Sequence, residues 1–282
     1  MTSPALTPRA FVVGWPVAQS RSPLIHGTWL ATHHIAGSYE RVAVPPEAID
    51  AFLRGLPESD FVGGNVTVPH KEAAFRIATE RDAVAEATGA VNTLWIDGGR
   101  LCGANTDGPG FLANLDDRAP GWDARPGEAV VLGAGGAAAA VAWGLASRGM
   151  RVRLVNRTLA RAEALAARIG ADTRAHGWDD VPRLLADARL LVNTTSLGMT
   201  GKDDMAIDLA PLPGDALVTD IVYVPLTTPL LEAADARGLA TVDGLGMLLH
   251  QAVPGFERWF GVRPTVDAEL RRLILADLGV TT

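Results

Sequence analysis

Three short stretches carry polar side chains whose types and spacing could do chemistry. Asn65-Val66-Thr67-Val68-Pro69-His70-Lys71-Glu72 sets Lys71 just beyond an apolar strand, at the start of a helix. Gly103-Ala104-Asn105-Thr106-Asp107-Gly108 offers a carboxylate, and Ser20-Arg21-Ser22-Pro23 offers two hydroxyls. An ammonium and a carboxylate together can move a proton to or from an oxygen whose charge changes during reaction. Taken one at a time, each also has a plain structural reading: a surface lysine, a helix N-cap at Asp107, capping hydroxyls at Ser20 and Ser22.

A fourth stretch has the form of a nucleotide-binding turn. In Gly133-Ala134-Gly135-Gly136-Ala137-Ala138-Ala139-Ala140 the first glycine permits a tight strand-to-helix turn. The second lets main-chain N–H groups reach a pyrophosphate at the positive end of the helix. The following strand ends in Asn156-Arg157-Thr158, where a site for NAD would carry an acid on the ribose hydroxyls. An acid there repels a 2′-phosphate. Arg157 attracts one, and Arg161, a helical turn on, adds a second cation, so these residues select NADP(H) over NAD. Arg157 as a solvated surface arginine is the plainer alternative.

Other chemistry finds no support. None of the six histidines (His26, His33, His34, His70, His176 and His250) shares a helix with Glu at zinc-binding spacing, so no metal is expected. Ser196 lacks the leading glycine of a hydrolase elbow and reads as a loop beside the nucleotide. No Gly-Lys-Ser/Thr follows Gly136, which argues against nucleotide hydrolysis.

The elements that must hold these residues follow from length and pattern. A chain of 282 residues suggests about two domains. It is 48% hydrophobic and 20% charged, which excludes a disordered chain. A net charge of −7 with no cluster of basic residues argues against nucleic acid and anionic lipid as partners. Met1–Ala10 is a poor signal peptide, and the single Cys102 suits a reducing cytoplasm. The uncharged run Ala129–Ser147 approaches a membrane span in length, but its glycines favour a strand, a turn and an alanine-rich helix.

Apolar runs alternate with helical patterns from Glu128 to Val242, as in a parallel α/β sheet: strands at Ala129–Leu132, Val152–Asn156, Arg189–Thr194 and Leu217–Val222, helices at Gly135–Arg148, Leu159–Ile169 and Thr228–Arg237. Before it come strands at Arg9–Gly14, Tyr39–Val44 and Phe61–Val68, with a helix capped by Ser22 and opened by Pro23. Asp97-Gly98-Gly99 signals a hairpin. Ala119–Gly127 reads as a linker between domains, and helices at Gly246–Phe260 and Val266–Leu278 close the chain, the last returning to the first domain. The expectation is an α/β fold with two domains: residues 1–110 plus 246–282 for substrate and catalysis, and a Rossmann-like, NADP-binding domain over 111–245.

Across nearly its whole length the chain resembles the shikimate dehydrogenase family. Gly14-Trp15-Pro16 with Ser20-Arg21-Ser22-Pro23-Leu24-Ile25-His26 matches one family motif, and Asn65–Lys71 the lysine motif. Gly89–Thr93, Asn105–Gly108, Gly133–Ala139, Asn156–Thr158, Asn193–Met199, Asp220–Tyr223 and Gly244–Leu248, with Gln251, match further ones in order. The resemblance implies reversible NADPH-dependent reduction of 3-dehydroshikimate to shikimate, a cytoplasmic step of aromatic amino acid biosynthesis. It implies Lys71 and Asp107 as the proton-transfer pair, Ser20 and Ser22 on the substrate carboxylate, and Thr67, Asn92, Asp107 and Gln251 on its ring hydroxyls, with Tyr223 also at the substrate. It assigns the nucleotide to Gly133, Gly135, Gly136, Ala137, Asn156, Arg157, Thr158, Arg161, Thr194, Ser196, Ile221 and Gly244. The implied partners are small molecules, with a homodimer left open.

Departures from the family pattern are Gln19 for His, Gly27 for Asn, Val224 for Asn and the bulky Trp15. None is the expected proton donor. Three rival readings stand beside this one: a quinate/shikimate dehydrogenase of broader scope, a non-catalytic NADP-binding sensor, and, more weakly, a methyltransferase. The sensor should have lost Lys71 or Asp107, and the methyltransferase should carry an acid where Asn156-Arg157 stands.

Overall fold

A computed structural model describes residues 7–170 and 172–280. The stretch Met1–Leu6, part of the segment read against a signal peptide, lies outside the described residues. The chain divides into two units: the first runs through Thr106 and resumes at Gln251, and the second spans Asp107–His250.

In the first unit, β1 (Arg9–Gly14), α1 (Ser22–Thr32), β2 (Ser38–Ala43), α2 (Ile49–Gly55), β3 (Phe61–Val66), α3 (Lys71–Ile77), β4 (Glu80–Arg81), α4 (Ala83–Thr88), β5 (Thr93–Asp97) and β6 (Arg100–Ala104) follow in order. The sheet order is β2-β1-β3-β5-β6-β4. Strands β1, β2 and β3 are parallel, whereas β5 runs antiparallel to both β3 and β6. Gly98 and Gly99 turn the expected hairpin between β5 and β6 with φ of +55° and +76°, angles that a side chain would resist. Phe11, Val13, Leu53, Leu56, Val66 and Leu94 form the buried core. Because of the strand directions, β1, β3 and β6 end, and β5 begins, at the same end of the sheet, which gathers Gly14, Thr67, Asn92 and Asn105 there.

The second unit contains α5 (Asp107–Arg118), β7 (Glu128–Leu132), α6 (Gly136–Ser147), β8 (Arg151–Val155), α7 (Leu159–Ile169), β9 (Thr173–His176), α8 (Val181–Leu185), β10 (Ala188–Asn193), β11 (Leu217–Asp220), α9 (Pro229–Ala236), β12 (Ala240–Val242) and α10 (Leu245–His250). Its sheet, ordered β12-β11-β10-β7-β8-β9, is parallel throughout. Successive strand residues serve opposite faces: Ala129, Val131, Val152, Leu154, Leu190 and Val192 pack in one core, while Val130, Leu132, Val155, Leu191 and Val218 pack in the other. The strand order reverses between β7 and β10, the place where such sheets bind ligands. The chain then returns to the first unit with α11 (Val253–Phe260) and α12 (Ala268–Asp277). No helix among the described residues is long and apolar enough to cross a membrane.

Four sequence expectations change. Ala119–Gly127 does not link the units: it lies inside the second one, where Trp122 donates to Asp116 at 2.9 Å and Arg148 grips Asp123 at 2.5 Å. The helix expected over Gly246–Phe260 is two helices, because Pro254 cannot continue one and sits in the first turn of α11. Ser22 does not cap α1; it is the first helical residue, after Arg21, and no side chain caps that end. The units divide at Thr106/Asp107 and His250/Gln251 rather than at 110/111 and 245/246. Helices α5 and α10 pack on each other, with Asn114 donating to the Asp243 carbonyl at 2.8 Å, so both fall wholly in the second unit.

His26 carries a pH dependence. It is fully buried and boxed by Trp29, Tyr39, Phe256 and Trp259. Burial lowers its pKa from 6.5 to about 3, so between these values the unfolded chain holds a proton that the folded chain does not. Stability should therefore fall by about 1.4 kcal/mol per pH unit on acidification below about 6.5. Thermal melts of the wild type and His26→Phe check this: the variant should show a flatter acid limb, and parallel limbs would contradict it.

Candidate active site

The end of the first unit's sheet where β1, β3 and β6 finish is built on amide side chains. Asn65, on β3, donates from Nδ2 to the Asn92 carbonyl at 3.1 Å and to Thr93 Oγ1 at 3.2 Å. Asn92 Oδ1 accepts from the Thr106 N–H at 2.8 Å and from the Thr106 and Thr93 hydroxyls at 3.1 and 3.0 Å. Its Nδ2 reaches Gln251 Oε1 at 3.5 Å. Lys71 opens α3 half-buried, and its carbonyl accepts the Val91 N–H at 3.0 Å, tying the lysine to the residue before Asn92, in the segment that leads into β5. Asp107, 8% exposed, is one peptide bond beyond Thr106. Ser20 and Ser22 pair through their hydroxyls at 3.3 Å, and Arg41 clamps the Ser20 carbonyl at 2.6 and 3.1 Å. The Thr67 N–H is held by the Val13 carbonyl at 2.9 Å.

The second unit has a groove of about 250 Å³ at the reversal of strand order. Gly133, Gly135, Asn156, Arg157, Arg161, Thr194 and Ser196 all line it. Gly133 has φ +112°, and a Cβ there would sit 2.7 Å from Thr194 Oγ1, so glycine is required on both counts. At Gly135 and Gly136 a Cβ would meet no protein atom within 4 Å. Gly135 is the N-cap of α6 and no side chain caps that end, which leaves the first N–H groups of the helix for an anion. Arg157 and Arg161 are exposed and without a carboxylate partner among the described residues. A turn offering bare N–H groups beside two unpaired cations fits a dinucleotide with an added phosphate.

A model of the shikimate dehydrogenase substrate binding domain matches residues 12–94, one of shikimate / quinate 5-dehydrogenase residues 121–221, and one of the shikimate 5′-dehydrogenase C-terminal domain residues 244–268. The chain is 63% identical over 273 residues to the NADP(+) shikimate dehydrogenase of Mesorhizobium japonicum, covering 96% of this chain and 97% of that one. The chain belongs to the shikimate dehydrogenase family.

Solved structures of the shikimate dehydrogenase family agree in fold. Shikimate 5-dehydrogenase from Thermus thermophilus, in complex with NADP(H) and shikimate, superposes with a TM-score of 0.85 at 37% identity, over 96% of this chain and 100% of that one. Quinate dehydrogenase from Corynebacterium glutamicum, in complex with NAD, gives 0.88 at 31% identity, over 96% and 99%.

Not every residue expected at the nucleotide lines the groove. Thr158 is the N-cap of α7 and is held by Asn156 Nδ2, which donates to its carbonyl at 2.9 Å. Gly244 packs on Ile221, whose carbonyl oxygen would lie 2.4 Å from a Cβ. Gly136 and Ala137 lie in the first turn of α6. Tyr223 is half-buried in the loop after β11 of the second unit. Of the departures, Gln19 donates to the Pro16 carbonyl at 3.2 Å, Gly27 has room for a side chain, the Val224 carbonyl accepts the Thr200 N–H, and Trp15 is 47% exposed.

Sequence reasoning missed three contributors. Trp178, in the turn before α8, lines the groove. Asn65 stood inside a quoted motif without a role; an amide in an otherwise apolar strand was the available signal. The third is Asp220, fully buried, whose carboxyl burial pushes above the usual range. It accepts from Asn193 Nδ2 at 3.0 Å, from the Val222 N–H at 2.9 Å and from the Thr228 hydroxyl at 2.8 Å. Asn193 in turn holds Thr195 at both its N–H and hydroxyl, at 2.9 and 2.8 Å, and donates to the Leu197 carbonyl at 3.1 Å. One buried carboxylate thus fixes the loop that forms a wall of the groove.

Proposed function

We propose that the protein is an NADP-dependent shikimate dehydrogenase, reducing 3-dehydroshikimate to shikimate and running the reverse oxidation, in the cytoplasm and within aromatic amino acid biosynthesis. What supports this most is the gathering of Asn65, Asn92, Thr106 and Gln251, with Lys71 tied through its carbonyl to Val91 beside Asn92, at one end of the first unit's sheet. Ser20 and Ser22 take the substrate carboxylate, and Thr67, Asn92 and Gln251 its ring hydroxyls, with Tyr223 as a further contact. When bound, NADPH supplies the hydride, held by the Gly133–Ala137 turn and the Thr194–Ser196 loop, with Arg157 and Arg161 on its 2′-phosphate. The ketone oxygen gains charge as it is reduced and needs a proton. Lys71 stabilises that charge and donates the proton, and Asp107 orients the amine or shares the transfer. In the oxidation the same pair removes the proton. The small-molecule partners are the substrate and the nucleotide, and self-association as a homodimer remains part of this reading, to be read by light scattering.

A second reading, a quinate/shikimate dehydrogenase, draws on the likeness to the quinate dehydrogenase fold. Initial rates with shikimate and quinate, each with NADP+ and NAD+, separate the two. The expected result is strong activity for shikimate with NADP+ only. Comparable kcat/KM for quinate would favour the broader enzyme, and no reduction of either nucleotide would refute both.

Asp220→Asn offers a further check. The new amide would set a donor against the donors of Asn193, Val222 and Thr228, at a cost of about 1–3 kcal/mol. The KM for NADPH should rise about tenfold, with the KM for 3-dehydroshikimate within about twofold. Equal changes in both would contradict a role in shaping the nucleotide wall.

A further inference from the structure

The carboxylate of Asp82 makes two bonds, and only one of them concerns its own helix. It caps α4, accepting the Ala85 N–H at 2.7 Å. The same oxygen accepts the Asn105 N–H at 3.2 Å. This second bond follows from the way β4 stops. Strand β4 pairs parallel with β6 through Glu80 and Arg81, and the Asp82 N–H still reaches the Gly103 carbonyl at 3.2 Å. The next rung of a parallel ladder would run from the Asn105 N–H to the Asp82 carbonyl. That carbonyl instead accepts the Glu86 N–H at 3.0 Å, because the chain has already turned into α4. The Asp82 side chain supplies an acceptor in its place, one residue beyond the end of β6.

Asn105 passes the constraint on. It is 1% exposed, and its Nδ2 donates to the Ala90 carbonyl and to the Thr88 hydroxyl, both at 3.1 Å. Ala90 stands two residues before Asn92, whose own N–H is held by the Ala104 carbonyl at 3.0 Å. Thr106, next to Asn105, donates its N–H to Asn92 Oδ1 at 2.8 Å. Each residue of 104–106 thus grips the segment 90–92, and Asp82 fixes the middle one.

We propose that Asp82 is a positioning residue for substrate recognition: by holding the Asn105 N–H where β4 ends, its carboxylate sets the segment that orients the Asn92 side chain. The proposal rests on the shikimate reading above and deepens it, naming what fixes an amide that the reading places on a ring hydroxyl. A helix cap alone asks only for an oxygen of local reach, as serine or threonine provides. The bond to Asn105 needs the longer side chain.

Asp82→Ser separates the two bonds. Its hydroxyl still caps α4 but sits one covalent bond short of Asn105, so the thermal melt should stay near that of the wild type. The KM for shikimate should rise about fivefold, with kcat within about twofold and the KM for NADP+ unchanged. Asp82→Asn keeps an oxygen at full reach and should hold the KM for shikimate within about twofold of the wild type. In an Asn92→Ala background, Asp82→Ser should add less than about twofold, because the side chain it positions is gone. Four results would each overturn the proposal: an unchanged KM in Asp82→Ser, a rise that Asp82→Asn shares, equal rises for shikimate and NADP+, or a rise that persists in full without Asn92. Asp82→Thr, a cap of the same reach as serine, repeats the test should the serine variant fold poorly. Wild-type turnover of shikimate with NADP+ tests the underlying reading separately.

Discussion

Lys71→Ala should lower kcat for the reduction of 3-dehydroshikimate by about 10²-fold or more, with the affinity for NADPH nearly unchanged. The expectation rests on where the chain puts this lysine. It is the first residue of α3, separated from the end of β3 by the four residues Thr67–His70, and its carbonyl is held by Val91, one residue before Asn92. The main chain at Lys71 is thus tied to the segment before β5 that carries Asn92, the amide proposed to bind substrate. Removing the amine takes away both the charge facing the developing alkoxide and the proton it needs. General acid catalysis of this kind contributes about 10²–10⁴-fold. Lys71→Arg separates the two contributions: the cation persists but gives up no proton near neutral pH, so the affinity for substrate should survive while turnover stays low. Stopped-flow or initial-rate measurements check both variants. Wild-type turnover in Lys71→Ala would remove the lysine from the mechanism.

Arg157→Ala should raise the KM for NADPH by about tenfold or more and leave that for NADH unchanged. Arg157 lies two residues past the end of β8, where an acid would bind an unphosphorylated ribose, and shares the groove with the glycine turn. Its guanidinium is exposed, so water screens part of its attraction and the effect belongs at the lower end of the tenfold to hundredfold range for a charge-assisted bond. Arg161, in the first turn of α7, lines the same groove, and the double variant should bring the two nucleotides close to parity. Raising the ionic strength should erode the NADPH preference of the wild type and leave the double variant indifferent. A parallel rise in both Michaelis constants would mean that Arg157 shapes the loop and does not bind the phosphate.

Features fixed by local chemistry were legible in the sequence. The Gly98-Gly99 hairpin, the Gly133 turn and the tip of β8 each depend on a few consecutive residues whose conformational freedom or charge has one main use. Features made by residues far apart were not. Tyr39 and Asn65 meet across 26 residues, and Asp220 meets Asn193 across 27. Trp178 escaped notice because β9, the edge strand before it, reads Thr-Arg-Ala-His and has no apolar run to announce it. Ala119–Gly127 resembled a linker by its prolines and glycines, yet Trp122 and Asp123 pin it to α5 and to Arg148. Composition reports how flexible a segment can be, not what its few anchoring side chains meet. The Ser22 cap failed for a related reason. A serine before a proline is a common helix start, but here the helix begins one residue earlier and the hydroxyl pairs with Ser20.

The central claim is that the Lys71 amine meets the oxygen that changes oxidation state. A crystal structure of the protein with shikimate and NADP+ tests it most directly. Lys71 Nζ should lie within about 3.2 Å of the shikimate hydroxyl that becomes the ketone, with the carboxylate on Ser20 and Ser22. An amine turned to solvent, or bound to the carboxylate while another group holds that hydroxyl, would contradict it.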